Sequence, residues 1–312
     1  MSPWLYVAAF VGSGILSAVF VQGSIWLAQW SGLTDGPDGG RKTQDRPIPK
    51  LGGIAVAIAF TLVFLTAVGV SGEITAFQLL ASVLLPALIV AGLGFIDDIR
   101  SLNPWIRLAA QTALALLVWW TGTQVGFTRV TWLDALITVL WIVGLTNAMN
   151  LLDNSDGLAA STALVASLGT GLVAVIYGQY FVGALAFALA GTAAGFLWHN
   201  WHPATVYLGD AGAYFLGFLL AIVTLRLRPV GVALPWSALI PVLLVLVPIL
   251  DTGFVVVRRL IERRHPFTPG RDHLSHVLMD RGLSVRQAVG VLQIVLVLSV
   301  AAAVALAWYW RQ

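Results

Sequence analysis

Asn147, Asn150, Asp153 and Asp156 stand at every third position, directly behind the apolar run TVLWIVGL. On a regular α-helix each step of three drifts by ~60°, so Asn147 and Asp156 would face opposite sides. The helix must therefore tighten or break near Asp153, and Gly157 is a suitable breaker. A broken helix end rich in oxygen acceptors can hold a metal or hydrogen-bond a nucleoside. Capping is the simpler use of such residues, but a cap needs one, and with Asn154 there are five here. Asp97 and Asp98 close another apolar run, in GLGFIDDIRSLNP. Adjacent helical side chains point ~100° apart, so one carboxylate can hold a divalent cation while the other faces a substrate. Carboxylates at a helix C-terminus oppose the macrodipole, so this placement needs a reason beyond pairing with Arg100.

Other candidates are weaker singly. Asp210, between Gly209 and an apolar run, reads on its own as a helix N-cap. Asp272, His273 and His276 lie within five residues, and the histidines at i,i+3 can share a helical face. His-x-x-His alone is a poor zinc signal; beside Arg271 and its neighbours, phosphate binding is the more natural chemistry. Asp251 is balanced between a functional role and pairing with Arg258 or Arg259. Arg41 and Lys42 sit in a Gly- and Pro-rich loop, where composition favours headgroup anchoring over phosphate binding.

The elements that must position these groups are membrane helices. The 312 residues are 59% hydrophobic and 10% charged, with a mean hydropathy of +0.89, too few charges to cover a soluble domain. A bilayer core of about 30 Å needs ~20 apolar residues per helix. Ten such runs are expected, at 4–30, 51–70, 76–96, 104–121, 131–149, 158–177, 180–198, 211–225, 234–257 and 287–309. Their continuity excludes a porin-type barrel. The first run is too long, with no basic residue ahead of it, for a cleavable signal. The absence of cysteine excludes disulfides and thiolate metal sites.

With ten spans, thirteen of the seventeen lysines and arginines fall on one side, leaving Arg129, Arg226, Arg228 and Arg311 on the other. The positive-inside rule makes the first side cytoplasmic and puts both termini outside. The net charge of +3 then reports membrane orientation, with no nucleic-acid partner needed. Twelve of the fourteen acids and every His and Asn sort to the same side, which that rule does not require. Ionisable groups near membrane depth mark function by default, so one face is expected to hold the chemistry.

The ordered motifs resemble the polyprenyl-phosphate N-acetylhexosamine-1-phosphate transferase family, over nearly the whole chain. They are Arg41-Lys42 with Pro47-x-Pro49-x-x-Gly52-Gly53, Gly94-x-x-Asp97-Asp98, Asn147-x-x-Asn150-x-x-Asp153-x-x-Asp156-Gly157, Asn200-x-x-Pro203-Ala204, Gly209-Asp210-x-Gly212, Pro248-x-x-Asp251 and Asp272-His273-x-x-His276. The resemblance implies an all-α polytopic fold of about ten spans, one transmembrane domain over 1–312, and cytoplasmic loops at about 31–50, 97–104, 150–158, 199–210 and 258–286. It implies transfer of N-acetylhexosamine 1-phosphate from a UDP-sugar to an undecaprenyl-type phosphate on the cytoplasmic face of the cell inner membrane. UMP is released and cell-envelope glycopolymer synthesis begins. Mg²⁺ is the implied cofactor, with Mn²⁺ able to stand in, and a homodimer is compatible with it.

By the same resemblance Asp97 and Asp98 are catalytic, with Asp98 orienting or deprotonating the lipid phosphate. Asp210 leads the metal ligands, with Asp97 and Asp153. Lys42, Asn147, Asn150, Asp153, Asp156, Asn200, Arg271, Asp272, His273 and His276 surround the nucleotide, phosphates and sugar. Gln44, Ala213 and Ser275 depart from the pattern of phospho-MurNAc-pentapeptide transferases and fit a UDP-GlcNAc branch better. That pentapeptide substrate is the alternative within the family. An ion-coupled transporter predicts more mid-membrane charges. A prenyltransferase of the aspartate-box type needs two Asp-x-x-x-Asp boxes, which Asp97-Asp98 and Asp153/Asp156 do not form.

Overall fold

The structure is a computed structural model and describes residues 3–32, 34–36, 47–71, 78, 80–126, 128, 130–228, 236–265, 268 and 270–311. Long apolar runs without interior breakers become helices, and twelve α-helices occur among the described residues. In chain order they are α1 (Pro3–Ser31), α2 (Gly52–Ser71), α3 (Leu85–Ile99, led in by a π-helical turn at Leu80–Leu84) and α4 (Pro104–Trp120). There follow α5 (Thr131–Leu152), α6 (Leu158–Ile176), α7 (Tyr180–Asn200) and α8 (Gly209–Leu225). The last are α9 (Leu239–Leu244), α10 (Leu246–Ile261), α11 (Leu274–Asp280) and α12 (Val285–Arg311). A two-residue antiparallel ladder pairs Thr34 with Pro49 and Asp35 with Ile48, bracketing the first polar loop.

Where their residues are described, the ten expected runs fall on helices, the ninth on two. Among the described residues seven helices are long and apolar enough to cross a membrane, and a bent pair would make eight. That pair is the ninth expected run, which breaks at Val245 so that Leu246–Ile261 leaves the preceding segment at 82°. The α4 and α8 helices have 17 residues each, about 25 Å of rise and short of the hydrocarbon thickness. Outward-facing Ile15, Val19, Leu65, Ile89, Leu140 and Leu298 are exposed over most helices of the bundle. Water would not tolerate so much contiguous apolar surface, and lipid does. The chain is an all-α polytopic membrane protein.

At the centre stands α8. Every residue from Ala211 to Leu225 is buried, so this helix is apolar all round and touches lipid nowhere along that stretch. It packs against α2, α3, α5, α6 and α7. Lipid is as apolar as leucine, so close backbone contact, and not the hydrophobic effect, must hold such helices together. Glycines provide it. A Cβ on Gly53 would stand 2.2 Å from the Gly212 nitrogen, and one on Gly94 would stand 2.5 Å from the Asp210 carbonyl carbon. The Gly-Gly of α2 and the glycine three residues before Asp97 therefore set how near α2 and α3 come to the head of α8.

Gly94→Ala should thus overpack a backbone contact and destabilise by about 1–3 kcal/mol. Gly92→Ala, where an added Cβ meets nothing within 4 Å, is the paired control in the same helix. Thermal unfolding in detergent reads the difference; equal melting temperatures would refute the close-packing account.

Candidate active site

Helix ends bring the acids together. Asp97 and Asp98 occupy the last turn of α3, Asp210 the first turn of α8, and Asn150 and Asp153 the end of α5. The predicted break is present: α5 stops at Leu152, Asp153 follows as its C-cap, and α6 starts from Gly157 at φ +76°. An L-residue with a side chain would be strained there.

Asp98 answers its own placement problem. Its Oδ1 accepts the Asp210 backbone N–H at 3.0 Å, and its Oδ2 accepts that of Ala211 at 3.1 Å. It caps α8 from a different helix, while Leu208, at the local N-cap position, makes no side-chain cap bond. The N-terminal amides of a helix lack internal partners and attract negative charge, so what opposes one dipole serves another. Gly209, at φ +69°, could carry no Cβ, since one would stand 2.8 Å from the Asp98 carboxylate. Asp210, read alone as the cap, is free for other work: Asn150 Nδ2 donates to its Oδ1 at 2.6 Å, and its carboxyl lies in hydrogen-bonding contact with Asp97.

Asp97 is buried, and both its oxygens are engaged. Oδ1 accepts the Leu102 N–H at 2.7 Å; Oδ2 pairs with the Arg107 guanidinium and accepts from the Tyr214 hydroxyl at 3.4 Å. A buried carboxylate needs such a counter-charge. Lys50 lies close enough to act on Asp98. Asp153 accepts from the Gly209 N–H. Burial, then the charges of Asp210, Asp98 and Asp156, push its carboxyl well above the usual carboxylate range. Negative charge is in surplus here.

That surplus is the test for a divalent cation. Among the described residues no three His, Asp or Glu side chains stand ready to chelate an ion. Mg²⁺ does not need that, because it binds through one or two carboxylates and fills its shell with water and substrate phosphates. The donors are all hard oxygens, and Asp210 and Asp153 are less committed to protein cations than Asp97. The residues fit Mg²⁺ shared with a phosphate ligand.

The neighbouring loops are tied to this centre by residues expected to bind substrate. Asp156 Oδ2 accepts from His202 Nδ1 at 2.7 Å and from the Ala204 N–H at 3.0 Å. Asn200, buried, accepts the Gly157 N–H at 2.9 Å and donates to the Val206 carbonyl at 2.9 Å. Asn147 donates to Gln111 Oε1 at 2.5 Å, fixing α4 to α5. Asp156, Asn200 and Asn147 thus hold loops and helices in place. Asn154 accepts from Ser275 at 2.6 Å, joining the third polar loop to the fifth. Ser275 and Ala213 are fully buried, so two of the departures from the pentapeptide-transferase pattern lie in the packing and touch no open surface.

The last loop forms its own network. Asp251 pairs with neither Arg258 nor Arg259. Its Oδ2 meets His273 Nδ1 at 2.8 Å, and its Oδ1 accepts the Leu274 N–H at 2.8 Å, capping α11. His273 stacks edge-on against His276 at 5.7 Å. Burial, followed by the charges of His273 and Arg271, lowers the His276 pKa and favours the neutral ring, whose Nδ1 is buried without a partner. Arg271 is exposed beside it. Asp272 is bound by Arg264 at 2.8 Å and by the buried Arg259 at 3.0 Å. Arg41, Lys42 and Gln44 lie outside the described residues.

Lys50, Arg107 and Tyr214 are the site members that sequence reading missed. Lys50 and Arg107 counted only as topological charges, although an arginine four residues into an apolar run was a usable signal. Tyr214 is indistinguishable in sequence from any core aromatic.

Arg264 and then Arg259 hold the Asp272 carboxyl down at about 2. A depressed folded-state pKa means this stabilisation is complete above the unfolded value near 3.9 and disappears as pH falls through about 2. Asp272→Asn, which takes the carboxylate charge away from the buried Arg259 and from Arg264, should cost on the order of 2–3 kcal/mol at neutral pH. Melting temperatures between neutral and acid pH test it: the wild-type advantage over the variant must shrink toward low pH.

Residues 79–228 match a family model described as glycosyl transferase family 4. The chain is 33% identical over 273 residues to a Bacillus subtilis protein named "Probable undecaprenyl-phosphate N-acetylglucosaminyl 1-phosphate transferase", covering 85% of this chain and 74% of that one. It is 34% identical over 283 residues to the decaprenyl-phosphate N-acetylglucosaminephosphotransferase of Mycolicibacterium smegmatis, covering 80% and 69%. It is 30% identical over 264 residues to a phospho-N-acetylmuramoyl-pentapeptide-transferase of Streptococcus thermophilus, covering 73% and 74%. With carboxylates of three loops gathered at the head of a buried helix, and similarity of this extent, the chain belongs to the polyprenyl-phosphate N-acetylhexosamine-1-phosphate transferase family.

Proposed function

We propose that the whole chain, acting as one transmembrane domain, transfers N-acetylglucosamine 1-phosphate from UDP-N-acetylglucosamine to a polyprenyl phosphate. One observation carries this reading: Asp98, Asp153 and Asp210 converge with Asn150 at the end of the central helix, in a bundle otherwise wrapped in apolar surface. A soluble nucleotide and a lipid-borne phosphate can meet only at such a place. The sugar is supported by the names of the Bacillus and Mycolicibacterium relatives. The Streptococcus relative keeps the pentapeptide substrate as a second reading.

In the reaction a non-bridging oxygen of the lipid phosphate attacks the sugar-bearing phosphorus, the diphosphate P–O bond breaks, and its electron pair leaves with UMP. Phosphoryl transfer of this kind depends on positioning and on charge neutralisation more than on covalent help from the protein. Mg²⁺, held by Asp210 and Asp153 with the diphosphate, would neutralise charge that builds on the departing UMP. The lipid phosphate is mostly ionised already at neutral pH, its second pKa lying near ~6, so no strong base is needed. Asp98 then acts by fixing the amides that aim Asp210, and Asp97 by anchoring Arg107 beside them. His273, oriented by Asp251, and Arg271 offer donors for phosphate or sugar oxygens, as does Lys42.

Orientation follows from the cation bias: the carboxylate face is cytoplasmic, in the inner membrane, with both termini outside. The apolar tail has a candidate surface in α10, which packs on α5, carries Asp251 inward and exposes Leu250, Val257, Leu260 and Ile261.

Purified protein given UDP-N-acetylglucosamine, undecaprenyl phosphate and Mg²⁺ should release UMP, and chelation of the metal should stop it. Asp210→Asn should lower turnover by about 100-fold, close to 3 kcal/mol of barrier. Asp98→Asn should lower turnover and melting temperature together. Loss of turnover at an unchanged melting temperature would instead make Asp98 a direct participant. Release of UMP only from the UDP-MurNAc-pentapeptide would replace the sugar assignment.

A further inference from the structure

The end of α8 remote from the carboxylates holds two arginines that nothing above employs. Arg226 is its C-cap and Arg228 follows two residues later. On the orientation proposed above they run against the positive-inside rule, so their presence wants a physical reason.

Arg228 has an ordinary one in part. Its Nη1 donates to the Leu225 carbonyl at 2.9 Å and its Nη2 to the Gln124 carbonyl at 3.0 Å. A cation at a helix C-terminus gains about 0.3–1 kcal/mol from the dipole. Arg226 reaches elsewhere. Its Nε donates to Thr123 Oγ1 at 2.9 Å and its Nη2 to Ser82 Oγ at 3.1 Å. Both hydroxyls are buried, at 1% and 4% exposure, so the guanidinium is seated in a formed pocket between the α4–α5 loop and the turn leading into α3. Every acceptor is neutral, and among the described residues no carboxylate pairs with either arginine. Burial, and then the charge of Arg228, draws the Arg226 guanidinium down to about 10.

Guanidinium carries five N–H donors, and the hydroxyl bonds leave the Nη1 of Arg226 for another acceptor. Arg228 is exposed and Arg226 half-buried, so the pair opens outward. Trp120 and Tyr180 are exposed at the helix ends beside Thr123 and Gln179, which bond the two arginines, and they are residue types that settle at headgroup level. Two close cations with no counter-ion among the described residues, at that level, match one chemistry: a phosphate with oxygens to share between two forks.

We propose that Arg226 and Arg228 form a phosphate-binding site for an anionic phospholipid headgroup, at the end of the central helix opposite the catalytic carboxylates. An occupied site ties α8, the α4–α5 loop and the turn before α3 together at the bilayer surface. It requires no part of the transfer reaction.

The test uses full-length protein in nanodiscs of phosphatidylcholine alone, or with phosphatidylglycerol, and reads retained lipid by native mass spectrometry alongside melting temperature. Wild-type protein should retain phosphatidylglycerol over phosphatidylcholine by roughly tenfold, about 1.4 kcal/mol. Arg228→Gln should lose most of that preference, and Arg226→Gln more of it. If Arg226→Gln fails to fold, Arg226→Lys, which keeps charge but not the fork, takes its place. Asp210→Asn should keep the preference, separating this site from the phosphate sites of the reaction. Inorganic phosphate added to phosphatidylcholine discs distinguishes the source: an arginine-dependent rise in melting temperature there, without lipid preference, would assign the site to a free anion and overturn the lipid assignment. Equal retention by wild type and both arginine variants would overturn the site altogether.

Discussion

A buried helix must begin somewhere, and the first amides of α8 begin in the interior. Each such N–H left without an acceptor would cost on the order of 1–3 kcal/mol. Leu208 and Gly209 have no side-chain oxygen to give, so the acceptors come from Asp98 on α3, one oxygen to each of two amides. The bond sets both partners at once. It fixes the depth and rotation of α8 against α3, and it removes Asp98 from the pool of free carboxylates. It also leaves the next acid along, Asp210, pointing toward Asn150 and Asp97.

The glycines follow from this clamp. Two oxygens can reach two amides only if the helix backbones nearly touch, and Gly94 and Gly209 remove the side chains that would hold them apart. Gly53 and Gly212 do the same between α2 and α8. A carboxylate constellation on loops alone would wander by more than metal or phosphate geometry allows; here it is mounted on helix ends locked by backbone contact. The motif glycines and the motif acids are therefore one device.

Much of this was legible in the sequence, though not in its details. Apolar run lengths gave the helices, because a run of twenty without charge has few other folds. The period of three from Asn147 to Asp156 gave the break at Asp153, since regular helix geometry could not use it. The break at Val245 was invisible, as VLLVLVP reads as continuous span and only packing reveals the 82° turn. The partners were the other loss. Asp251 faced two arginines seven and eight residues ahead in sequence but meets His273, because α11 folds back on α10. Asp156, Asn147 and Asn200 looked like ligands by residue type; Asp156 and Asn200 bond neighbouring loops, and Asn147 bonds Gln111 on α4. Residue type marks where polar groups gather; which of them remain available depends on contacts between distant segments.

The polarity of α8 joins the two ends of the molecule. Its amide end carries the positive half of the dipole and faces Asp98 and Asp210; its carbonyl end carries the negative half and faces Arg226 and Arg228. In a medium that screens poorly, this alignment lowers the cost of both charge groups without pairing them to each other across about 25 Å. Each end is thereby left short of counter-charge, acids at one and arginines at the other. Arg107 and Lys50 offset part of the acidic surplus, while the arginine pair meets no carboxylate among the described residues. On the function and lipid site proposed above, two unbalanced ends on one rigid rod suit a cation and phosphates at a membrane: the scaffold makes the charges bearable, and the ligands would make them neutral.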